Sequence, residues 1–313
     1  MNKTIRKVTT TNFAQPRRVI SVAMIAAAFS VPANIAVSDD KDTDEVKALA
    51  NDTVFGYVAD WVAAFGDTFE TGAVKHVDLS LVNEGDKTGA TGIAVIGMAE
   101  GEKSFTFTQL SATRLDGRST ANIGLGHREL RDDKTLLVGV NVFYDHEFSG
   151  KHSRYGVGLE ALRHDLGLRL NHYIASSGSK IYKGVTEQAL DGTDLTLSYN
   201  LNFNAMSTLM PETFLRSYRW SDGKGFKDDG VEYGVRGNFG SNWRFQVSRD
   251  DSSKTKAVTA AGLSYRIALG AKPPTGATAS GPASMRPHLY KPVQRENTIR
   301  KSRIVVGLVA VGK

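Results

Sequence analysis

The sequence predicts an all-β fold, a transmembrane antiparallel β-barrel of about 12 strands with a short N-terminal helix and a C-terminal tail threading or plugging the pore. Three observations point there. Between about Gly72 and Leu269, segments of roughly ten residues alternate apolar and polar side chains and are separated by turns. The polar positions of those segments carry full charges, which a dry sandwich core excludes and a hydrated lumen can pair. After residue 40 no stretch approaches the roughly 18 consecutive apolar residues a spanning helix needs, and the hydrophobic fraction is only 41%. A barrel escapes that helix test because the half of each strand facing its lumen is polar.

Met1 to about Val37 reads as a secretory signal. Lys3, Arg6, Lys7, Arg17 and Arg18 form a basic start, Val19 to Val31 an apolar centre, and cleavage could follow Ala33, Ala36 or Ser38. An exported chain meets an oxidising compartment, and with no Cys at all this one uses no disulfide. The net charge of +6 owes five positive charges to that segment, so the mature chain is near neutral. No nucleic-acid footprint is expected despite the pI of 9.3.

Residues 38–71 form a separate periplasmic segment in this reading. Ser38 to Glu45 is acidic and polar. From Glu45 to Phe65, Val46, Leu49, Val54, Val58, Trp61, Val62 and Phe65 recur at mixed spacings of three, four and five, which predicts an amphipathic helix over 45–65 that Gly66 and Asp67 end. Its polar face lacks a Lys/Arg cluster, which favours a periplasmic cap or pore plug over a membrane-surface element.

The barrel is predicted over 72–270. Alternation gives strands near 73–82, 90–99, 103–113, 117–128, 134–147, 152–164, 166–178, 192–203, 205–220, 228–239, 242–250 and 257–269. Leu195, Leu197, Tyr199, Leu201 and Phe203 share one face, while Asp194, Thr196, Ser198, Asn200 and Asn202 share the other. The same phase puts Asn141, Asp145, Arg154, Glu160, Arg169, Glu232, Arg236, Arg244 and Arg266 on the lumen side. With the N-terminus periplasmic, inward turns such as Ala99–Lys103, Arg131–Asp133, His164–Asp165, Phe203–Met206 and Gly240–Ser241 are short. Outward loops such as Ser177–Thr193, Ser221–Asp229 and Asp250–Lys256 are longer. Residues 270–287 read as a flexible Pro/Gly linker within a tail over 271–313. The eight residues Ile304–Val311 are too few for a spanning helix and fit a strand.

Several segments resemble a known family. They are Phe107–Leu110, Thr120–His127, Leu137–Asp145, His152–Glu160 and Leu289–Ile299 (LYKPVQRENTI), and they are similar in order to the inverse autotransporter β-domain of intimin/invasin-like outer-membrane adhesins. The resemblance spans about residues 54–306. It implies a twelve-stranded outer-membrane barrel in a Gram-negative bacterium, whose chain returns through the pore to export a C-terminal passenger that binds host cells. It also implies outer-membrane lipid, barrel-assembly machinery and periplasmic chaperones as partners. By the same likeness, Arg295, Glu296, Asn297 and Ile299 start the pore-crossing linker. Asn141, Asp145, Arg154, Glu160, Arg169, Glu232, Arg236 and Arg266 are the candidate contacts for it. From Arg295, 19 residues remain. At about 3.3 Å each they reach roughly 60 Å, enough to cross a bilayer of about 40–45 Å but not to form an adhesive domain. The expectation is therefore a translocator exporting or displaying its own C-terminal segment, with the passenger missing and a host receptor correspondingly improbable. The alternative is a general porin-like channel plugged by its tail.

No enzyme, metal or cofactor is expected. His172 and Ser176 share the lipid-facing side of their strand, but four strand residues put them about 13 Å apart, too far for a catalytic dyad, so His172 reads as an isolated near-interface residue. Asp145, His146, Glu147 and His152 flank an outward loop without a convincing third ligand, and read as solvated loop residues. Gly124, Gly126, Gly156 and Gly158 alternate with apolar residues and open no helix, so they belong to the barrel wall and not to a nucleotide loop.

Overall fold

Twelve strands pair edge to edge until the last meets the first. The computed structural model describes residues 72–201, 209–240, 242–269 and 284–304. The expected signal, the helix at 45–65, most of the linker and the residues after Ile304 lie outside them. The strands are β1 (Val74–Glu84), β2 (Lys87–Glu100), β3 (Ser104–Leu115), β4 (Arg118–Arg131), β5 (Leu136–Glu147), β6 (His152–Leu162), β7 (Leu166–Ala175), β8 (Lys180–Tyr182), β9 (Val185–Ala189), β10 (Asp191–Asn200), β11 (Glu212–Ser221), β12 (Lys227–Phe239), β13 (Trp243–Ser252), β14 (Val258–Ala268) and β15 (Lys301–Ile304). All except β8, β9 and β15 form the closed barrel, in the order β1-β14-β13-β12-β11-β10-β7-β6-β5-β4-β3-β2. The closing seam is antiparallel, running from His76 opposite Ala268 to Glu84 opposite Ala260.

Each of the twelve strands read from alternation has its counterpart, and the ends differ where backbone chemistry intervenes. The fifth starts at Leu136, not 134, because Asp132, Asp133 and Lys134 all adopt positive φ in the turn before it. The ninth starts at Glu212, just past Pro211, which cannot donate to a ladder. Loop length alternates less regularly than expected. At the end expected to face outward, Gly85–Asp86 and Asp116–Gly117 are two-residue hairpin turns, with Asp116 and Gly117 both at positive φ. On the inward side the β10–β11 connection covers 201–211. The longest outward connection holds β8 and β9, too short to show a period, and β15 adds to them as a third strand.

The two faces divide as the pattern requires. On β10, Leu195 and Leu197 are 46% and 45% exposed on the outside, while Asp194 and Ser198 are 1% and 5% exposed inside. Aromatic side chains gather near the rims of the outer face. Phe239, Trp243 and Tyr265 touch at one end, with ring centroids 6.0 and 5.0 Å apart, and Tyr144 and Tyr155 at the other, 5.3 Å apart. Rim aromatics suit the two bilayer interfaces.

The interior is not simply water behind a polar wall, and the expectation needs correcting there. Val95, Phe105, Phe107, Leu130, Leu137, Phe143 and Leu162 make an apolar cluster with Met285, Leu289, Tyr290 and Val293 of the C-terminal segment. The wall makes space for these rings with glycine. Gly126 faces Phe107 across the β3–β4 ladder, and a Cβ there would lie 2.3 Å from the ring.

Replacing Leu197 with Arg puts a charge on the outer face of β10. It is expected to cost about 2–4 kcal/mol if that position lies near the bilayer midplane. Reversible unfolding in lipid vesicles checks this, with Thr196→Arg on the lumen face as the comparison expected to cost less.

Candidate functional site

The sense of the strands fixes the path of the C-terminal segment. β1 begins and β14 ends at the barrel end that holds the turns 101–103 and 132–135. Residues 284–304 start at that end and finish at the opposite one. There Lys301, Ser302, Arg303 and Ile304 pair antiparallel with Ala189, Gln188, Glu187 and Thr186 of β9.

At the first end the Met285 N–H donates to the Lys134 carbonyl at 2.8 Å. The Arg286 guanidinium reaches the Glu102 carbonyl and the Glu100 carboxylate. Residues 286–290 then form a 3-10 turn with Leu289 and Tyr290 buried. The expected flexible linker therefore ends earlier than 287, because Met285 is buried in the lumen cluster and Arg286 is held by three backbone or carboxylate oxygens around the 101–103 turn. Arg128, fully buried, pairs with Glu160 at 2.6 Å and donates to the Leu289 carbonyl at 2.7 Å and to that of Lys291. Gln109 Oε1 accepts from the Val293 N–H at 2.7 Å.

The middle of the lumen is built around Asp145 on β5. Its two carboxylate oxygens accept from Nη1 and Nη2 of Arg295 at 2.8 and 2.7 Å, a bidentate pair. The same carboxylate accepts from Arg154 Nε and Asn122 Nδ2, each at 2.8 Å. Arg295 lies over the ring of Phe143, 4.3 Å from its centroid. Gly156 leaves room for it, since a Cβ there would sit 3.0 Å from Arg295 Nη2. Glu296 balances two further guanidinium groups: its carboxylate meets Arg300 at 3.3 Å and Arg216 at 3.5 Å and accepts from the Thr298 hydroxyl at 2.6 Å. Backbone groups are held too. The Arg154 guanidinium donates to the Glu296 carbonyl, Asn122 to the Asn297 carbonyl, and the Glu296 N–H donates to the Tyr173 hydroxyl.

At the far end the tail is held by charge. Arg118 donates to both oxygens of Glu187 at 2.7 Å and to Glu147, which also receives Lys301. Glu187 lies 3.4 Å from Arg303.

Of the lumen residues picked from the sequence, Asp145, Arg154 and Arg236 hydrogen-bond the tail directly, Arg236 through Gln294 Oε1 at 2.7 Å. Glu160 and Glu232 approach it through Arg128 and Arg216. Arg169 instead bonds Ser198, Arg266 bonds Asn238, and Asn141 packs with Asn171 over Gly158. Among the tail residues, Ile299 is buried. The sequence reading passed over Arg128, Asn122, Tyr173 and Arg216. Tyr173 stands two residues from Asn171 and four from Arg169, so strand phase alone could have placed it inside.

Two further expectations change. Asp145, Glu147 and His152 are not solvated loop residues but buried, the carboxylates in ion pairs and His152 Nδ1 against Ser177 Oγ at 3.1 Å. Among the described residues no group of His, Cys, Asp or Glu is placed to hold a metal. His172 faces outward as expected and is bonded to Thr193 across the β7–β10 ladder at 2.8 Å, so it is not isolated.

A closed barrel with an apolar exterior and a charged lumen holding its own C-terminal segment is an outer-membrane barrel. Residues 24–297 match the family model described as inverse autotransporter, beta-domain, and the chain belongs to that family. It is 29% identical over 160 residues to the uncharacterized protein YchO of Escherichia coli K12, 51% of this chain and 32% of that one. It is 35% identical over 99 residues to intimin of Escherichia coli O111:H-, 31% of this chain and 10% of that one. The matches thus span a third or less of these relatives' length. A solved structure described as "Unveiling the Mechanism Behind the in-meso Crystallization of Membrane Proteins" superposes with a TM-score of 0.63 at 19% identity. It covers 74% of this chain and 100% of that one, and supports the fold.

Asp145→Asn leaves two buried guanidinium groups facing a neutral amide, and loss of one partner of a buried pair costs about 3–5 kcal/mol. The expected outcome is a barrel that still migrates as folded on an unheated gel while protease cuts within 284–304. A tail as resistant as in the wild type would remove Asp145 from the tail's anchorage.

Proposed function

We propose that this barrel is a translocation domain that exports or displays its own C-terminal segment across the outer membrane. In this reading residues 1–37 are a removable signal, 38–71 a periplasmic segment, and 72–270 the membrane barrel. The tail over 271–313 crosses the pore from the periplasmic side outward. The observation that carries it is the bidentate hold of Asp145 on Arg295, at 2.7 and 2.8 Å, inside a lumen whose wall is shaped around residues 285–300. A plug that merely fell into a pore would need no such pairing at each level.

Sidedness follows from the same path. The N-terminal edge of β1 and the point where the tail enters share one barrel end, which this reading makes periplasmic. The tail leaves under the β8–β9 hairpin, which this reading places outside, and pairs there as an added strand. Export of an unfolded segment asks the pore for a polar, sequence-tolerant surface. Guanidinium groups that donate to backbone carbonyls, as those of Arg128 and Arg154 do, fit that demand. Outer-membrane lipid is the medium. Barrel-assembly machinery and periplasmic chaperones are the partners this route would use.

An epitope placed after Lys313 should be cut by protease added to intact cells. One placed before Val74 should be cut only after the outer membrane is permeabilised. A C-terminal epitope reachable only from the periplasm would overturn the translocator reading.

A further inference from the structure

The tail bonds β3–β7 and reaches β11–β13 through Arg216, Arg236 and Asp250, yet does not fill the lumen. Two cavities remain, one of about 420 Å³ and one of about 460 Å³. The first extends to Glu84, Leu115 and Val258 at the hairpin end; the second extends to His164, Leu201 and Met210 at the opposite end. They share Arg244, Arg266, Lys291, Pro292 and Gln294 as walls, so they meet at one cationic septum.

Charge around the septum is unbalanced. The second cavity is lined by Arg128, Arg163, Arg169, Arg244, Arg266 and Lys291. Glu160 and Glu212 oppose them there and both are engaged, Glu160 with Arg128 at 2.6 Å and Glu212 with Arg236 and with Arg244 at 3.5 Å, while Arg163 is paired with Asp132 at 2.9 Å. Arg169 is satisfied by a hydroxyl, Arg266 by an amide oxygen, and Lys291 lies 3.2 Å from a ring nitrogen of His288, none of which brings a countercharge. Asp78 stands opposite Arg266 on the neighbouring strand and accepts from Ser80 at 2.7 Å. Even with Asp78 counted, the septum keeps an excess of guanidinium and ammonium groups. Arg266 Nε is buried with no acceptor among the described residues. Rings of Arg and Lys in a low-dielectric wall select anions, because the field concentrates in the narrow aqueous path.

We propose that the barrel passes small inorganic anions beside its resident tail, with Arg266 and Lys291 as the selectivity-determining side chains. The proposal rests on the membrane-spanning reading with the tail in place, but not on export: a barrel that never displays its C-terminus could still conduct.

The test is planar-bilayer recording of the full-length wild-type chain and of K291Q and R266Q, each shown to insert as a folded barrel, under a potassium chloride gradient. The wild type is expected to give a small steady conductance with chloride several-fold more permeant than potassium, and each variant to lower that ratio. K291Q keeps the wall intact and changes only a side chain whose backbone carbonyl does the anchoring, so it stands if R266Q folds poorly. No conductance from inserted barrels, a cation preference, or a chloride preference unmoved by K291Q would each overturn the proposal. The epitope at Lys313, assayed in the same proteins, reads export separately.

Discussion

The constraint beneath the whole structure is that hydrocarbon offers no partner to a backbone N–H or C=O. A sheet in that medium must close, and the seam from His76–Ala268 to Glu84–Ala260 closes it. Closure at twelve strands fixes the size of the lumen, and that size sets the next problem. Twelve strands leave a difference between the space they enclose and the volume their own side chains fill. The C-terminal segment occupies part of the difference, with Leu289, Tyr290 and Val293 completing an apolar cluster the wall begins.

Placing a chain segment inside a barrel brings its own polar backbone into partial burial. The wall answers with side chains that reach carbonyls and amides: Arg128, Asn122, Arg154, Asn171, Gln109 and Tyr173 each contact tail backbone. Their charges must then be compensated within a few ångströms, which explains why Glu160 sits on Arg128 and Asp145 on Arg154. Asp145 does double service, compensating Arg154 in the wall and Arg295 in the tail. Wall and tail are thereby one electrostatic unit at that level, and two looser ones near the septum.

Strand positions and faces were legible in the sequence because a period of two is imposed on every residue by the bilayer on one side and the lumen on the other. That is why all twelve segments, and the inward set from Asn141 to Arg266, could be read directly. Three things were not legible. The apolar part of the lumen was hidden because Phe105, Phe107 and Leu137 interrupt the polar phase, and alternation cannot distinguish an inward apolar residue from a slip of register. The β8–β9 hairpin was hidden by length, since three and five residues carry no period. The partner of Arg295 was hidden because a contact across 150 residues depends on barrel closure, not on local pattern. The likeness to a family supplied the general path of the tail; only the folded geometry supplied the pairings.

The distribution of interactions along the lumen is itself informative. At the first end the tail is held by apolar packing and backbone bonds around the 101–103 and 132–135 turns. At the middle and far end it is held by ion pairs with Asp145, Glu147 and Glu187. Apolar packing is specific in shape and fixes which residues stop there, whereas the buried guanidinium–carboxylate pairs fix the tail by charge and geometry. The translocator proposed above, which would first let a segment pass and then keep its last part in place, would use both. In the export proposed above, the segment around Leu289 would be arrested by shape, and Arg295 by its buried pairing with Asp145.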